Sequence, residues 1–461
     1  MKRLFALDLR SLALARVALF GTVLADLAVR AGDLPAHYSD AGVLPVRAYA
    51  PVAWDFLFSV HSLLGSSRFE AGLFALAAVF AVAGVLGYWT RLATLGTWAM
   101  LLSLHARNPL LRDGQDDLLR VVFFFAIFLP WGERWSLDAK RKVTPARSSG
   151  WAEALFTAQL GAVYLASAFA KLRSPWWRAG DGVRYSLSLL RYETHLGHSL
   201  LASPRWVLLL SNHAVIAVEL LLPLLLILGG DWKRPARQLA FALAVLMHLG
   251  FGLGMKLGLF PWVSLAAWLA FLPGGDVPLT TKSQSTDAFA GACALVLIAA
   301  MNLRYLAPRL PLPTPLVRVG QALGLQQYWA LFAPDHLSAE VMTDGYFLAL
   351  GVGADAVDHD LWNAGAQPRM ERPELVSVTF KNRRWRHLFS NLTWDWPAGS
   401  EQQRTVGAAR DAWAGWMCRE WRASHPEPMR AVRLVYVYHR LGAPNGPWSY
   451  RTLVARACAQ P

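Results

Sequence analysis

Long apolar runs that carry hardly any charge recur through the first 306 residues, and they limit the possible folds more than any other feature. A helix needs about 20 mostly apolar residues to cross the hydrocarbon layer of a bilayer. The clearest runs are Ala71–Thr90, Ala154–Ala170, Trp206–Ile227, Gln238–Met255 and Ala288–Leu303; shorter or more polar runs are Leu9–Val29, Leu92–Leu104, Leu118–Trp131 and Leu257–Pro273. The sequence therefore predicts an all-α polytopic membrane bundle of eight or nine transmembrane helices in contact with the lipid bilayer.

The positive charge of the chain lies mostly in short segments between these runs. The formal net charge is +14, and Lys and Arg collect at the N-terminus, in 134–147 and in 233–237. This distribution is typical of membrane topology and argues against a nucleic-acid-binding surface. With nine helices and a cytoplasmic N-terminus, all three segments lie in the cytoplasm. Abundant Ala, Leu and Arg are typical of a GC-rich bacterium, so we predict the bacterial inner membrane and a periplasmic C-terminal part.

The chain changes character after about residue 308, where charges appear every few positions. We predict a transmembrane helical domain over 1–308 and a soluble α+β domain over 309–461. In the latter, β-branched and aromatic residues predict strands at Glu374–Phe380, Ala431–His439 and Trp448–Ala455, and apolar periodicity predicts a helix at Ala408–Ser424. Cys418 and Cys458 both lie in this tail, and the sequence alone leaves open whether they pair. The chain has no phosphate-binding loop and no zinc-ligand spacing, so no metal is predicted.

One basic segment, 171–205, is predicted on the non-cytoplasmic side, where basic loops are uncommon. Its cationic residues are Lys171, Arg173, Arg178, Arg184, Arg191 and Arg205. Two interpretations remain open. The segment either presents a binding face for anions or carboxylates, or it is an interfacial helix whose arginines contact lipid headgroups.

Lys171 closes an apolar run, and helical spacing places it on one face with Tyr164. A lysine at the edge of the hydrocarbon is costly unless its charge reaches water or the amine has a function. Burial disfavours the ammonium form, so a buried Lys171 could act as a base. The alternative is that Lys171 extends to the headgroups beside Trp176 and Trp177, and position alone favours this alternative.

Two further polar features interrupt the apolar pattern. A hairpin between the third and fourth runs carries His105, Asn108 and Arg112 together with several acidic residues. Its density of polar groups exceeds what helix capping needs, although acidic residues also favour a helix N-terminus. His248 lies in the middle of another run, where an ionisable residue indicates either a function or an interhelical hydrogen bond.

The order of several segments resembles the vitamin K-dependent gamma-carboxylase family and its bacterial relatives, the HTTM (horizontally transferred transmembrane) domain proteins. The similar segments are Ala162–Trp177 with its Ala-Lys-Leu-x-x-x-Trp ending, Phe241–Trp262 with Met247-His248, His105–Pro109 followed by Asp116-Asp117, Leu129–Gly132, and Trp329–Pro334 at the start of the tail. Together they cover roughly residues 5–310 and the entry to the tail.

The resemblance implies a chemistry and a set of site residues. In the carboxylases, a lysine at the position of Lys171 is regarded as the base that deprotonates reduced vitamin K. The anion then reacts with oxygen, and the strong base so formed removes a glutamate γ-proton before carbon dioxide adds. This implication favours Lys171 as a base. The expected cofactor is reduced vitamin K or menaquinone, and the expected partner is a glutamate-containing protein or peptide.

We predict Lys171, His105 and His248 as catalytic residues. The predicted substrate-binding residues are Tyr164, Asn108, Arg112, Trp177 and Arg184. The sequence departs from the family pattern at two points: Ala170 replaces the first lysine of the family's pair, and the tail is much shorter than the luminal part of the animal enzymes. The alternative function is a non-catalytic scaffold or a transport-related protein.

Overall fold

The computed structural model describes residues 4–48, 58–141, 147–148, 150–274, 287–307, 309–333, 343–353, 356–363, 366–368, 371–394, 396–441 and 446–459. Two predicted landmarks, the domain boundary at Pro308 and the end of the tail-entry motif at Pro334, lie outside these residues.

Helices build the first two-thirds of the chain. In order they are α1 (Leu9–Ala31), α2 (Leu34–Tyr38), α3 (Ser67–Leu86), α4 (Thr90–Arg107), α5 (Gly114–Ala126), α6 (Trp151–Arg173), α7 (Pro175–Arg178), α8 (Gly182–Ser188), α9 (His195–Leu201), α10 (Arg205–Leu226), α11 (Lys233–Gly254), α12 (Phe260–Trp268) and α13 (Asp287–Leu306). A short antiparallel pair, β1 (Leu7–Asp8) with β2 (Arg147–Ser148), joins the start of this region to the segment before α6.

Within the described ranges, five helices are long and apolar enough to cross a membrane: α1, α3, α6, α10 and α11 with its preceding turn. Their outward faces expose large apolar side chains such as Val79, Leu210 and Leu246, as expected for contact with lipid. The prediction of eight or nine spans is not confirmed. The 13-residue α5 is only about 20 Å long at 1.5 Å per residue, and it buries Asp116, Asp117 and Arg120 inside the protein.

The tail contains α14 (Thr314–Ala322), β3 (Thr343–Val352), β4 (Asp358–Asp360), α15 (Arg383–Leu392), α16 (Glu401–Ser424), β5 (Ala431–Arg440) and β6 (Ser449–Ala457). The strands form an antiparallel sheet of order β4-β3-β5-β6. The helix α16 packs against β5 and β6 of this sheet, and its Trp413 and Trp416 rings contact Phe389 and Trp385 of α15. A disulfide joins Cys418 of α16 to Cys458 after β6, which settles the pairing that the sequence left open.

The sequence predicted β5, β6 and most of α16 correctly, but the strand predicted at Glu374–Phe380 is wrong. The segment forms a 3-10 turn at Val376–Val378, because its polar groups bond to the bundle instead of to a neighbouring strand. The backbone N–H of Val376 donates to Glu193 Oε1, and Ser377 Oγ donates to the Glu193 carbonyl at 2.7 Å. The sequence pattern did not predict β3 and α15.

A buried network of ion pairs fastens α15 to the bundle. Arg384 is fully buried and donates to Asp26 Oδ1 at 2.6 Å and to both carboxylate oxygens of Asp116, at 2.5 and 2.8 Å. Arg30 donates to the same two aspartates, at 2.7 and 2.6 Å. Because a carboxylate buried without a partner is very costly, the tail supplies charge that the bundle needs.

We predict that Arg384→Ala lowers the free energy of unfolding by about 3–5 kcal/mol, because the buried carboxylates of Asp26 and Asp116 lose one of their positively charged partners. The measurement is thermal or denaturant unfolding of the full chain in detergent. The control is Arg404→Ala: Arg404 lies 4.0 Å from Glu401 and its side chain is 64% exposed. This variant should change stability by less than about 1 kcal/mol. Similar losses in both variants would contradict the assignment.

Candidate functional site

An apolar cavity of about 310 Å³ lies among α8, α10 and α11, with α6 and α7 at one side. Its lining is mainly aliphatic and aromatic, and the charged residues that line it are Lys171 and Glu219. Leu331 and Phe332, in the segment that enters the tail, complete the wall. A cavity of this size and character is typical of a small-molecule site.

Lys171 lies in the last turn of α6 and is only 2% exposed. Its Nζ donates to Glu219 Oε1 at 2.8 Å and to Ser167 Oγ at 2.7 Å, and it lies 5.1 Å from the centre of the Trp177 ring. The amine therefore lies inside the protein at the cavity wall and does not extend to a headgroup layer. A chemical role for Lys171 requires its amine to reach an enclosed site, and its position at the cavity wall meets this requirement.

The local packing explains how the three polar side chains meet. Ser167 and Lys171 are four residues apart on α6, so both face α10. The two helices approach closely where Gly161 meets Pro223, since a Cβ at residue 161 would lie 3.2 Å from Pro223 Cβ. Small residues at such contacts allow helices to pack closely in membranes.

Glu219 is a charged residue of this cavity wall that the sequence did not single out. It is buried in α10, and its Oε1 accepts hydrogen bonds from Lys171 and from Ser167, the latter at 3.0 Å. Its Oε2 is buried and has no hydrogen-bond partner among the described residues. A signal for it was present, because Glu219 is the single charged residue in the predicted run Trp206–Ile227, and a charge within a membrane span indicates function.

His248 lies beside the cavity in a hydrogen-bonded chain of three side chains. Trp268 Nε1 donates to Tyr164 Oη at 2.6 Å, and Tyr164 Oη lies 2.8 Å from His248 Nε2. Because Oη accepts from Trp268, its own proton is available for Nε2. His248 thus forms an interhelical hydrogen bond, which is one of the two roles that the sequence indicated for it. Its neighbours Met247 and Phe251 line the cavity.

The structure does not bring the other predicted site residues to this cavity. His105 Nε2 lies 3.3 Å from Asp116 in the ion-pair network of Arg384. Asn108 Nδ2 donates to the carbonyl of His37 at 2.8 Å, and Arg112 Nε lies 3.5 Å from Asp117. Arg184 is exposed on α8. Of the eight predicted residues, Lys171 and Trp177 line the cavity, and Tyr164 and His248 lie next to it.

Asp26, His105 and Asp116 place one possible ligand atom each within 4.8 Å of one another, which is a possible metal geometry. The two carboxylates, however, already accept hydrogen bonds from Arg30 and Arg384. These cations supply the positive charge that a metal ion would otherwise provide, so the cluster is a structural ion-pair network.

The basic segment 171–205 forms short helices, and residues 190–193 within it contact the tail. The backbone N–H of Leu190 donates to Asp344 Oδ2 at 2.6 Å, and Arg191 Nε lies 4.0 Å from Asp344 Oδ1. Burial raises the pKa of Asp344 despite these partners. Glu193 accepts a hydrogen bond from Arg372 at 2.8 Å. Part of this segment therefore contacts protein, which neither interpretation of the sequence anticipated.

Comparison with known proteins identifies the bundle. A family model described as the HTTM domain matches residues 8–274. That range is more than half of the chain and contains Lys171, Glu219, Tyr164 and His248, whereas the tail lies beyond it. No match was found among curated proteins or among solved structures. The chain therefore belongs to the HTTM domain family, which is related to the gamma-carboxylases, and it is an integral membrane protein.

Proposed function

We propose that this chain is a membrane enzyme that binds a lipid-soluble quinol in the cavity beside Lys171 and takes a proton from its hydroxyl group. The observation that carries the proposal is the buried Lys171–Glu219 pair, 2.8 Å apart, at the wall of an apolar cavity. A structural ion pair alone would not need an adjacent cavity.

The residues present fit a quinol in two respects. The aliphatic and aromatic lining matches an aromatic headgroup with an isoprenoid tail. Oε2 of Glu219, which has no hydrogen-bond partner among the described residues, can accept a hydrogen bond from a hydroxyl. The lining also includes the exposed residues Ala214, Leu246 and Gly250 on α10 and α11. Since both helices are candidate membrane spans, this side of the cavity faces lipid and gives a lipid-soluble ligand a route inward.

The Lys171–Glu219 pair can accept a proton in either of its two forms. In the ion-paired form Lys171 Nζ is an ammonium, and the free acceptor is Glu219 Oε2. In the neutral form Glu219 holds the proton and the Nζ lone pair is the acceptor. Ser167 holds both groups in place through Oγ.

The bound quinol would supply oxygen-dependent chemistry, of the kind in which its oxidation to an epoxide generates a strong base. By the resemblance of Lys171 to the family lysine, we propose a glutamyl side chain of a protein or peptide as the substrate of that base. Trp177 also lines the cavity, and the centre of its ring lies 5.1 Å from Lys171 Nζ.

We predict that the purified chain forms quinone epoxide from reduced menaquinone and oxygen, and that Lys171→Ala and Glu219→Gln each lower the rate by about 100-fold or more, because each removes part of the proton acceptor. Epoxide is measured by chromatography. Incorporation of labelled carbon dioxide into a glutamyl peptide is measured in the same reactions.

The matched control is Arg205→Ala, which changes an exposed residue at the start of the helix that carries Glu219. Its rate should equal that of the unmutated chain. If the unmutated chain forms no epoxide over a range of pH and quinol concentration, the enzymatic proposal is rejected. If Lys171→Ala is as active as the unmutated chain, Lys171 is not part of the proton acceptor.

A second candidate function is a non-catalytic scaffold in which the bundle positions the tail. The observation that favours it is the buried network around Arg384, which fixes α15 on the bundle. A quinol that binds in the cavity without turnover, together with a partner protein captured through the tail, would support this candidate over the enzyme.

We propose that the N-terminus is cytoplasmic and that the tail lies on the outer side of a bacterial inner membrane. The disulfide Cys418–Cys458 supports this orientation, because disulfides persist in oxidising compartments such as the periplasm.

The orientation predicts that an epitope at the C-terminus is detected on intact spheroplasts, whereas one at the N-terminus is detected only after permeabilisation. In denaturing gels without reductant, a maleimide reagent should label Cys293 alone, and after reduction it should label all three cysteines. Detection of only the N-terminal epitope on intact spheroplasts would reverse the assignment.

A further inference from the structure

A second cavity, of about 330 Å³, lies where the tail meets the bundle. Val29 of α1 and the segment between α11 and α12 form its bundle side, and residues from Ser377 to Arg386 form its tail side. Its charged lining residues are three cations, Lys256, Arg383 and Arg386, and one carboxylate, Asp26. The family model ends before the tail residues begin, so this cavity joins the family domain to a part of the chain outside it.

The acidic groups near this cavity do not balance its cations. Asp26 already accepts hydrogen bonds from Arg30, Arg383 and Arg384, and Asp113 pairs with Arg383 at 3.3 Å. Among the residues that the structure describes, Lys256 and Arg386 have no carboxylate within ion-pair distance. Burial lowers the pKa of each of the three cations, and a neighbouring arginine lowers it further for Lys256 and Arg383. The site therefore has an excess of positive potential.

Arg386 is the side chain around which the site is built. It is 3% exposed, its Nη1 donates to the Lys256 carbonyl at 2.5 Å, and its guanidinium lies 4.5 Å from the centre of the Tyr192 ring. Its Nε is buried and has no hydrogen-bond partner in the described part of the chain. A buried guanidinium N–H without an acceptor is costly, and a bound anion would satisfy it.

The shape of the cavity depends on Gly258. Its φ of +69° favours glycine, and a Cβ there would lie 2.5 Å from Arg383 Cδ. The same segment separates the two cavities, because some of its residues line one cavity and the others line the second. Met255, Leu257 and Phe260 line the apolar cavity, whereas Lys256, Gly258 and Leu259 line the basic one.

We propose that the basic cavity binds a small oxyanion, either a carboxylate or a phosphate group, held by Arg386 and Lys256. A guanidinium presents parallel N–H donors that match the paired oxygens of both groups, and the lysine adds a compact charge. Arg383, which is fixed by Asp26 and Asp113, forms the back of the site. This binding does not require the quinol chemistry of the other cavity.

The test is thermal unfolding of the full chain in phosphatidylcholine nanodiscs, with inorganic phosphate or glutarate titrated against sodium chloride at equal ionic strength. A ligand that binds only the folded state raises Tm in a saturable manner. We expect saturable stabilisation by at least one anion, and affinity at least about tenfold weaker in Arg386→Gln, which removes charge-assisted hydrogen bonds. A parallel arm replaces the added anion with phosphatidylglycerol in the nanodisc, and loss of its stabilising effect in Arg386→Gln would identify a lipid headgroup as the source.

Arg404→Gln, in an exposed part of α16, is the matched control and should keep the affinity of the unmutated chain. If Arg386→Gln does not fold, Lys256→Gln provides the same test, because Lys256 is exposed and its side chain bonds to the Ser377 carbonyl. The proposal is overturned if neither anions nor phosphatidylglycerol stabilise the unmutated chain, or if both variants retain its affinity. Lys171→Gln should bind the anion with unchanged affinity, because Lys171 lines the apolar cavity and not the basic one. The result for anion binding is therefore independent of whether the quinol proposal holds.

Discussion

Charges buried where water cannot reach them must find partners within the protein, and this requirement organises the whole molecule. The bundle buries Lys171, Glu219, Asp26 and Asp116, each of which would be very costly alone. Lys171 and Glu219 satisfy one another across α6 and α10. Asp26 and Asp116 need more positive charge than the bundle supplies close by, and α15 of the tail provides it. The helices are thus packed around buried charge pairs in addition to an extensive apolar core.

The same requirement makes the tail an integral part of the structure. Arg384 reaches from α15 to two helices of the bundle, and Trp177 Nε1 donates to the Phe332 carbonyl at 2.7 Å. Phe332 in turn lines the apolar cavity. The cavity that belongs to the family domain is therefore closed by residues from beyond the part that the family model matches. A different tail on the same domain would change both the shape of the cavity and the groups around it.

The two cavities suit different ligands although they share one wall. The apolar cavity contains a carboxylate and an amine that satisfy each other and leave one carboxylate oxygen for a donor. The basic cavity contains cations in excess and leaves a guanidinium N–H for an acceptor. A lipid-soluble hydroxyl compound and a water-soluble or headgroup anion are complementary to these two environments, and the segment from Met255 to Phe260 contacts both.

The amino-acid sequence was enough to establish that the chain is a membrane bundle, since runs of about 20 apolar residues fit a bilayer better than a soluble core. It also determined β5, β6 and α16, which have regular patterns, and it directed attention to Lys171 and His248, because ionisable residues are rare in such runs. The resemblance of the Lys171 segment to a family lysine added a role that spacing could not supply. These inferences are local, because each depends on residues close together in the chain.

Which polar residues meet depends on how the whole chain folds. Lys171 and Glu219 are 48 positions apart, and Arg384 is 268 positions from Asp116, so no local pattern links them. For the same reason the sequence placed His105 and Lys171 in one site, whereas the fold places His105 with Asp116. The predicted count of eight or nine spans is not confirmed, because five helices of the described residues are long and apolar enough to cross a membrane, and the short α5 carries charges that are buried against the rest of the protein. Burial and pairing are properties of the folded chain, and they decide whether a charged side chain holds the fold together or acts on a ligand.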